Sequence, residues 1–273
     1  MGQLGGKTAI VTGAARGGGE TISRAFVAEG ANVVLLDILD DRGKTVADDL
    51  GEAAVYVHCD VTNESEWQDA VATALRQFGS VDTLVNNAAI LHLANLVDTT
   101  VEDYLRVVKV NEIGPFLGIK TVAGPMKDRG SGSIINISSV DGVFVSPFTA
   151  AYAASKFHIR GLGKSAAVEL GEFGIRVNTI CPAAGNPEMV FDAMPPEIRE
   201  AFAGVDTSNY ADQYPTPPIG RHGQLTDVAK MCVFLASDQS EFMTGADVAL
   251  DGGATAGFTQ KMISGLTGIQ IPA

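Results

Sequence analysis

Short apolar runs recur along this chain, separated by segments whose apolar residues return at helical spacing. The first run covers residues 7–12 and leads directly into a glycine-rich stretch, 13–19. A helical pattern follows to about residue 29, with Ile22, Ala25, Phe26 and Ala28 on one face. Further runs lie at 31–36, 53–59, 81–85, 133–137 and 176–180, with a weaker one at 247–250. Helical segments are expected near 40–50, 64–78, 99–129, 150–172 and 226–237. Strands that are apolar on both faces and alternate with helices predict an α/β fold, a doubly wound parallel sheet of about seven strands covered on each side. No linker or compositional shift divides the chain, so a single domain is expected. The segment 182–223 is the exception to the regular pattern, holding seven of the chain's 11 prolines. So long an irregular stretch in a compact domain reads as a substrate lid at about 183–223, with a disordered insertion as the alternative.

Composition narrows the function. With 273 residues, 46% of them hydrophobic, the chain can bury a large core. Its net charge of −13 repels phosphate backbones and anionic lipid, so no nucleic-acid or membrane-surface role is expected. Cys59, Cys181 and Cys232 are widely spaced and read as reduced thiols. The four histidines show no ligand spacing, so no metal is expected. No basic leader precedes an apolar run, and no apolar stretch is long enough to span a bilayer. A cytoplasmic globular protein is expected.

The candidate chemistry sits at strand ends. Thr12-Gly13-Ala14-Ala15-Arg16-Gly17-Gly18-Gly19 joins the first strand to the first helix. Glycines there allow a sharp turn and close approach of a pyrophosphate to the helix N-terminus. Asp37 ends the second strand, where a carboxylate accepts hydrogen bonds from an adenosine ribose and repels a 2′-phosphate. Arg16 argues the other way, as a partner for such a phosphate, but Ile38 follows Asp37 where a basic residue would favour NADP. NAD is therefore the expected cofactor. Asp60 and Val61 end the third strand, with Asp60 either an adenine acceptor or a helix cap. Asn86-Asn87-Ala88-Ala89 ends the fourth. Tyr152 and Lys156 share a helix face. An ammonium ~4 Å from the phenol, at an effective dielectric near 20, would favour phenolate by about 4 kcal/mol and make the tyrosine an acid/base near neutral pH.

These motifs, with Asn111 in VNEIGPF and Ser139 in INISSV, resemble in order and spacing the compact branch of the short-chain dehydrogenase/reductase family, over most of residues 5–253. The resemblance implies a Rossmann-like sheet and four catalytic residues. Tyr152 would exchange the proton with the substrate oxygen, and Ser139 would orient that oxygen, with Ser138 as its less well spaced rival. Lys156 would lower the tyrosine pKa and hold the nicotinamide ribose, and Asn111 would support a proton relay through water. It implies cofactor contacts at Gly13, Arg16, Gly17, Gly18, Gly19, Asp37, Asp60, Val61, Asn87, Tyr152, Lys156, Pro182 and Gly185. The sequence departs from the family at Gly18, at Ala89 and at Ala183, and Pro187 replaces the usual carboxamide-binding threonine.

Substrate contacts are expected at Ser139, Tyr152, Phe144, Met189 and Phe191, giving an apolar pocket. The overall pattern is most similar to bacterial NAD-dependent hydroxysteroid and cyclic-alcohol dehydrogenases. That implies a bulky or cyclic secondary alcohol and its ketone as substrates. A 3-oxoacyl thioester reductase and a non-catalytic dinucleotide sensor are the alternatives. Relatives are commonly homotetramers that pair the helices near 100–128 and 150–172, and the apolar tail 254–273 is expected to pack on a neighbouring subunit.

Overall fold

A computed structural model describes residues 2–184, 186–194, 200 and 216–257. Seven strands form one sheet: β1 (Thr8–Thr12), β2 (Asn32–Asp37), β3 (Ala54–His58), β4 (Thr83–Asn86), β5 (Gly132–Ile137), β6 (Ile175–Pro182) and β7 (Asp247–Leu250). Their order is β3-β2-β1-β4-β5-β6-β7, and every neighbouring pair is parallel. The helices are α1 (Gly17–Ala28), α2 (Asp40–Leu50), α3 (Glu64–Phe78), α4 (Val101–Val108), α5 (Gly114–Arg129), α6 (Ala150–Leu170), α7 (Pro187–Ala193) and α8 (Leu225–Ala236). The expected α/β, doubly wound Rossmann-like sheet is present as one domain.

The continuous apolar strands have a direct structural cause, because both faces of the sheet are covered. Ala9, Val11, Val33 and Leu35 point to one face and meet Ile22 and Phe26 of α1 and Val228 and Val233 of α8. Their neighbours Ile10, Val34 and Leu36 point to the other and meet Trp67 of α3, Val122 and Met126 of α5, and Leu170 of α6. Strand alternation thus splits one sequence run between two cores.

Two elements differ from the sequence pattern. The single helix expected over 99–129 is interrupted by a π-helical segment, Lys109–Ile113, between α4 and α5. Asn111 lies in that segment, 2% exposed. Apolar spacing hardly changes across a one-residue slip in hydrogen bonding, so periodicity does not reveal it. Strand β6 continues to Pro182 because β7 pairs with its last residues, Cys181 with Ala249 and Pro182 with Leu250. The topology reverses between β1 and β4, which opens a crevice at the carboxyl ends of the strands.

Trp67 is fully buried, and its indole N–H donates to the Val61 carbonyl at 2.9 Å. It lies under Gly118, where a Cβ would come within 2.7 Å of the indole. Trp67→Phe leaves that carbonyl unpaired and a small void beside it. We expect a loss of about 1–3 kcal/mol of stability, read from the shift in a urea denaturation midpoint followed by far-ultraviolet circular dichroism.

Candidate active site

At the crevice the glycine loop is shaped by two left-handed residues, Gly13 (φ 64) and Gly17 (φ 56). Gly19 is needed for a different reason: a Cβ there would lie 2.1 Å from the Gly13 carbonyl oxygen. Helix α1 starts at Gly17 with no side chain capping it, so its first-turn N–H groups and the positive end of its dipole are open to an anion. Across the loop, the Asp37 carboxylate is 9% exposed and accepts hydrogen bonds from the backbone N–H groups of Ala15 (2.9 Å), Ile38 (2.8 Å) and Leu39 (3.0 Å). Those bonds fix the carboxylate at the rim. It is not the cap of α2, whose N-cap position is Leu39. Asp60 accepts from Thr62 N–H at 2.9 Å, while Asn63 caps α3. Asp60 is therefore exposed at the strand end, as a residue available to a ligand should be.

Deeper in, α6 carries Tyr152 and Lys156 on one face. The Lys156 ammonium donates to the Ile137 carbonyl at 2.9 Å and lies 5.4 Å from the centre of the tyrosine ring. Ser138 donates to the Lys156 carbonyl at 2.7 Å, so its hydroxyl is committed to the backbone. Ser139 faces Tyr152 instead and accepts from Asp141 N–H at 3.1 Å. Asn111 reaches the same helix from the π segment. It donates to Ser155 Oγ at 3.0 Å, and it exchanges a pair of hydrogen bonds with the Ile90 backbone, both 2.9 Å.

The electrostatics of this group differ from the sequence expectation. Burial pushes the Tyr152 phenol up to about 12, the Ser139 hydroxyl beside it pulls the other way, and the Asp141 carboxylate adds to the rise. Burial also lowers Lys156 to about 8. The desolvation that would strengthen the lysine's effect on the phenol also weakens the lysine's own charge, and it penalises phenolate directly. In the ligand-free protein desolvation prevails.

These parts share one cavity of about 920 Å³. Its wall includes Gly13, Arg16, Gly18, Asp37, Asp60, Val61, Asn87, Ser139, Tyr152, Lys156, Pro182 and Met189. Phe144 is exposed and, like Phe191, is not part of that wall. The sequence reading missed Ile90, Leu105, Val110, Asn186 and Leu225, which supply apolar and polar wall from loops and helix ends. It also missed Arg106 and Lys109 of the α4 and π segments, two cations in the same wall. Helical spacing around Tyr104 and Leu105 was the one available signal for that face. Arg221, in the segment expected as a lid, is held by Asp227 at 2.7 and 3.0 Å. Gly185, Arg199, most of the segment 195–215 expected as a lid and the tail beyond 257 lie outside the described residues.

Residues 13–255 match the family model described as enoyl-(acyl carrier protein) reductase. The chain belongs to the short-chain dehydrogenase/reductase family. It is 45% identical over 260 residues to a 3-alpha-(or 20-beta)-hydroxysteroid dehydrogenase of Mycobacterium tuberculosis, covering 95% of this chain and 94% of the relative. A trans-4-hydroxycyclohexanecarboxylate dehydrogenase of Sinomonas cyclohexanicum is 38% identical, covering 92% and 93%. A cyclopentanol dehydrogenase of Comamonas testosteroni is 37% identical, covering 94% and 100%. This short-chain dehydrogenase/reductase is thus an oxidoreductase whose cofactor is a nicotinamide dinucleotide. Among the described residues, no helix is long and apolar enough to cross a membrane, and no cluster of side chains could hold a metal ion.

The crevice of this dehydrogenase fits such a cofactor: open N–H groups at α1, a loop with bare glycines at Gly13 and Gly18, and an acceptor at Asp37 lie along one cavity that reaches Lys156. The depressed lysine has a thermodynamic signature. Between about 8 and the ordinary 10.5, the unfolded chain binds a proton at Lys156 that the folded chain does not. The group's contribution to stability therefore rises with pH across that window. Relative to Lys156→Met, the wild type should gain up to a few kcal/mol between about pH 7.5 and pH 10.5, measured as the difference in unfolding free energy of the two proteins across that range.

Proposed function

We propose that this protein is an NAD-dependent dehydrogenase that interconverts a bulky or cyclic secondary alcohol and its ketone. The observation that carries the reading is the single cavity with Asp37 at one end and Ser139, Tyr152 and Lys156 at the other. The names of the relatives, a hydroxysteroid dehydrogenase and two cyclic-alcohol dehydrogenases, favour the same class. Asp37 is the reason for choosing NAD, because its fixed carboxylate suits ribose hydroxyls and repels a 2′-phosphate.

When bound, the nicotinamide supplies or accepts the hydride. The chain's own part is proton transfer and orientation. Tyr152 gives its proton to the ketone oxygen or takes it from the alcohol, and a phenol that stays protonated at neutral pH is in the state that reduction requires. Ser139 hydrogen-bonds the same oxygen and orients the reacting carbon. Lys156 holds the ribose and brings positive charge to the phenol. Asn111 ties α6 to the loop after β4, at Ile90, and the water relay to Lys156 is assigned to it. Gly13, Gly17, Gly18, Gly19, Asp60, Val61, Asn87 and Pro182 are assigned to the cofactor's path. Met189, from the segment we assign as the lid, contributes apolar wall.

Two further assignments accompany this one. The exposed side chains of Ile113, Phe116, Phe157 and Val168 on the π, α5 and α6 surfaces suit a homotetramer that pairs these helices. The three buried free thiols suit a reducing compartment such as the cytoplasm. A second reading, reduction of a 3-oxoacyl thioester, is favoured by the acyl carrier protein in the family model's description and by Arg106 and Lys109 in the cavity wall.

The test is oxidation of hydroxysteroids, cyclic alcohols and 3-hydroxyacyl thioesters, each with NAD and with NADP. Turnover of the cyclic alcohols with NAD is expected. Turnover confined to thioesters with NADP would replace the proposal by the second reading, and NADH binding with no turnover of any substrate would make the protein a sensor. Tyr152→Phe should retain NADH affinity within a few fold while turnover falls by at least about 10²–10⁴-fold. Wild-type-like turnover would assign the acid/base role to another group.

A further inference from the structure

Arg16 is the residue of the glycine loop best suited to bind a phosphate on the adenosine ribose, and in this structure it is already paired. Its Nη1 lies 3.1 Å from Glu188 Oε2 and its Nη2 lies 2.5 Å from Asp192 Oδ2, both carboxylates belonging to α7. Arg42, in the first turn of α2 just beyond Asp37, places Nη1 3.2 Å from the same Glu188 oxygen. Two arginines therefore flank the Asp37 rim, one from the glycine loop and one from the turn after β2, and two α7 carboxylates neutralise them. Counting Asp37 as well, the five groups sum to −1. Helix α7 is seated directly on the loop: Asn186, its N-cap, has its amide nitrogen where a Cβ on Gly17 would be 2.7 Å away.

We infer that Glu188 and Asp192 are specificity residues, which enforce the choice of NAD over NADP by occupying the guanidinium donors that a 2′-phosphate would need. The inference rests on the proposed use of NAD. A phosphate and a carboxylate compete for the same planar donors, and both ion pairs with Arg16 are partly exposed, so exchange is open to solvent. Asp37 repels the phosphate from one side. The α7 carboxylates withhold its partners and add charge of the same sign from the other.

The experiment compares wild type, Glu188→Gln/Asp192→Asn, and the same double variant with Arg16→Ala. Catalytic efficiency for NAD and NADP is measured with one alcohol, and NADPH and NADH affinity is measured by cofactor fluorescence. The double variant should raise the NADP-to-NAD ratio by about tenfold, with tighter NADPH binding, and adding Arg16→Ala should remove the gain. If the double variant loses both cofactors in proportion, α7 is only a latch and the inference fails. An unchanged ratio in a protein whose wild type prefers NAD overturns the inference alone. A wild type that already prefers NADP overturns the inference together with the NAD reading, and it shows before any variant is made.

Discussion

The seam between β1 and β4 is the constraint on which the site depends. Thr12 ends β1, and its hydroxyl oxygen accepts hydrogen bonds from the backbone N–H groups of Asn87 and Ala88, both at 2.9 Å, while donating to the Val85 carbonyl at 3.2 Å. The Asn87 amide returns a bond to the Thr12 carbonyl at 2.9 Å. Because the chain turns opposite ways on the two sides of this seam, no crossover helix covers it, and a crevice is left open. The seam then sets the glycine loop on one side and the residues after Asn87 on the other.

The second level of organisation is a set of side chains that serve the backbone rather than a ligand. Asn111 holds residue 90 and Ser155 together across two elements. Ser138 fixes the α6 backbone at Lys156, and Trp67 fixes Val61. A polar side chain inside a core is costly unless its bonds are made, so each of these groups specifies one relative placement of its elements. The π segment belongs with them: the extra residue in the helix turns Asn111 inward at the level of the active-site helix.

Much of this was legible in the sequence, and the exceptions have physical causes. The strands were readable because two-sided burial demands unbroken apolar runs, and the 247–250 run coincides with β7. That Tyr152, Lys156, Ser139 and Asp37 meet at one cavity was readable because each stands at or just past a strand end or on one face of α6. Met189 lies in the cavity wall, whereas Phe144 and Phe191 do not. An apolar residue in an irregular segment carries no periodic signal of its direction. The fate of Arg16 was also hidden, since its partners lie 172 and 176 residues away in the chain. The raised tyrosine pKa could not be read at all, because spacing reports the nearby charge and says nothing of the water that burial removes.

The loop after Ser139 is held through its backbone and Asp141 rather than through its apolar side chains. Asp141 accepts from the Ser146 N–H at 2.8 Å, Phe144 N–H donates to the Val140 carbonyl at 2.7 Å, and Ala94 N–H donates to the Phe148 carbonyl at 3.0 Å. Phe148 itself sits at φ 68, a left-handed conformation that an aromatic residue adopts only when its surroundings impose it. Between those anchors, the side chains of Val143, Phe144 and Val145 are exposed and carry none of the loop's shape. Such a division of labour makes the segment evolvable: its side chains can drift toward a new ligand while the backbone path, and with it Ser139, stays where the anchors hold it.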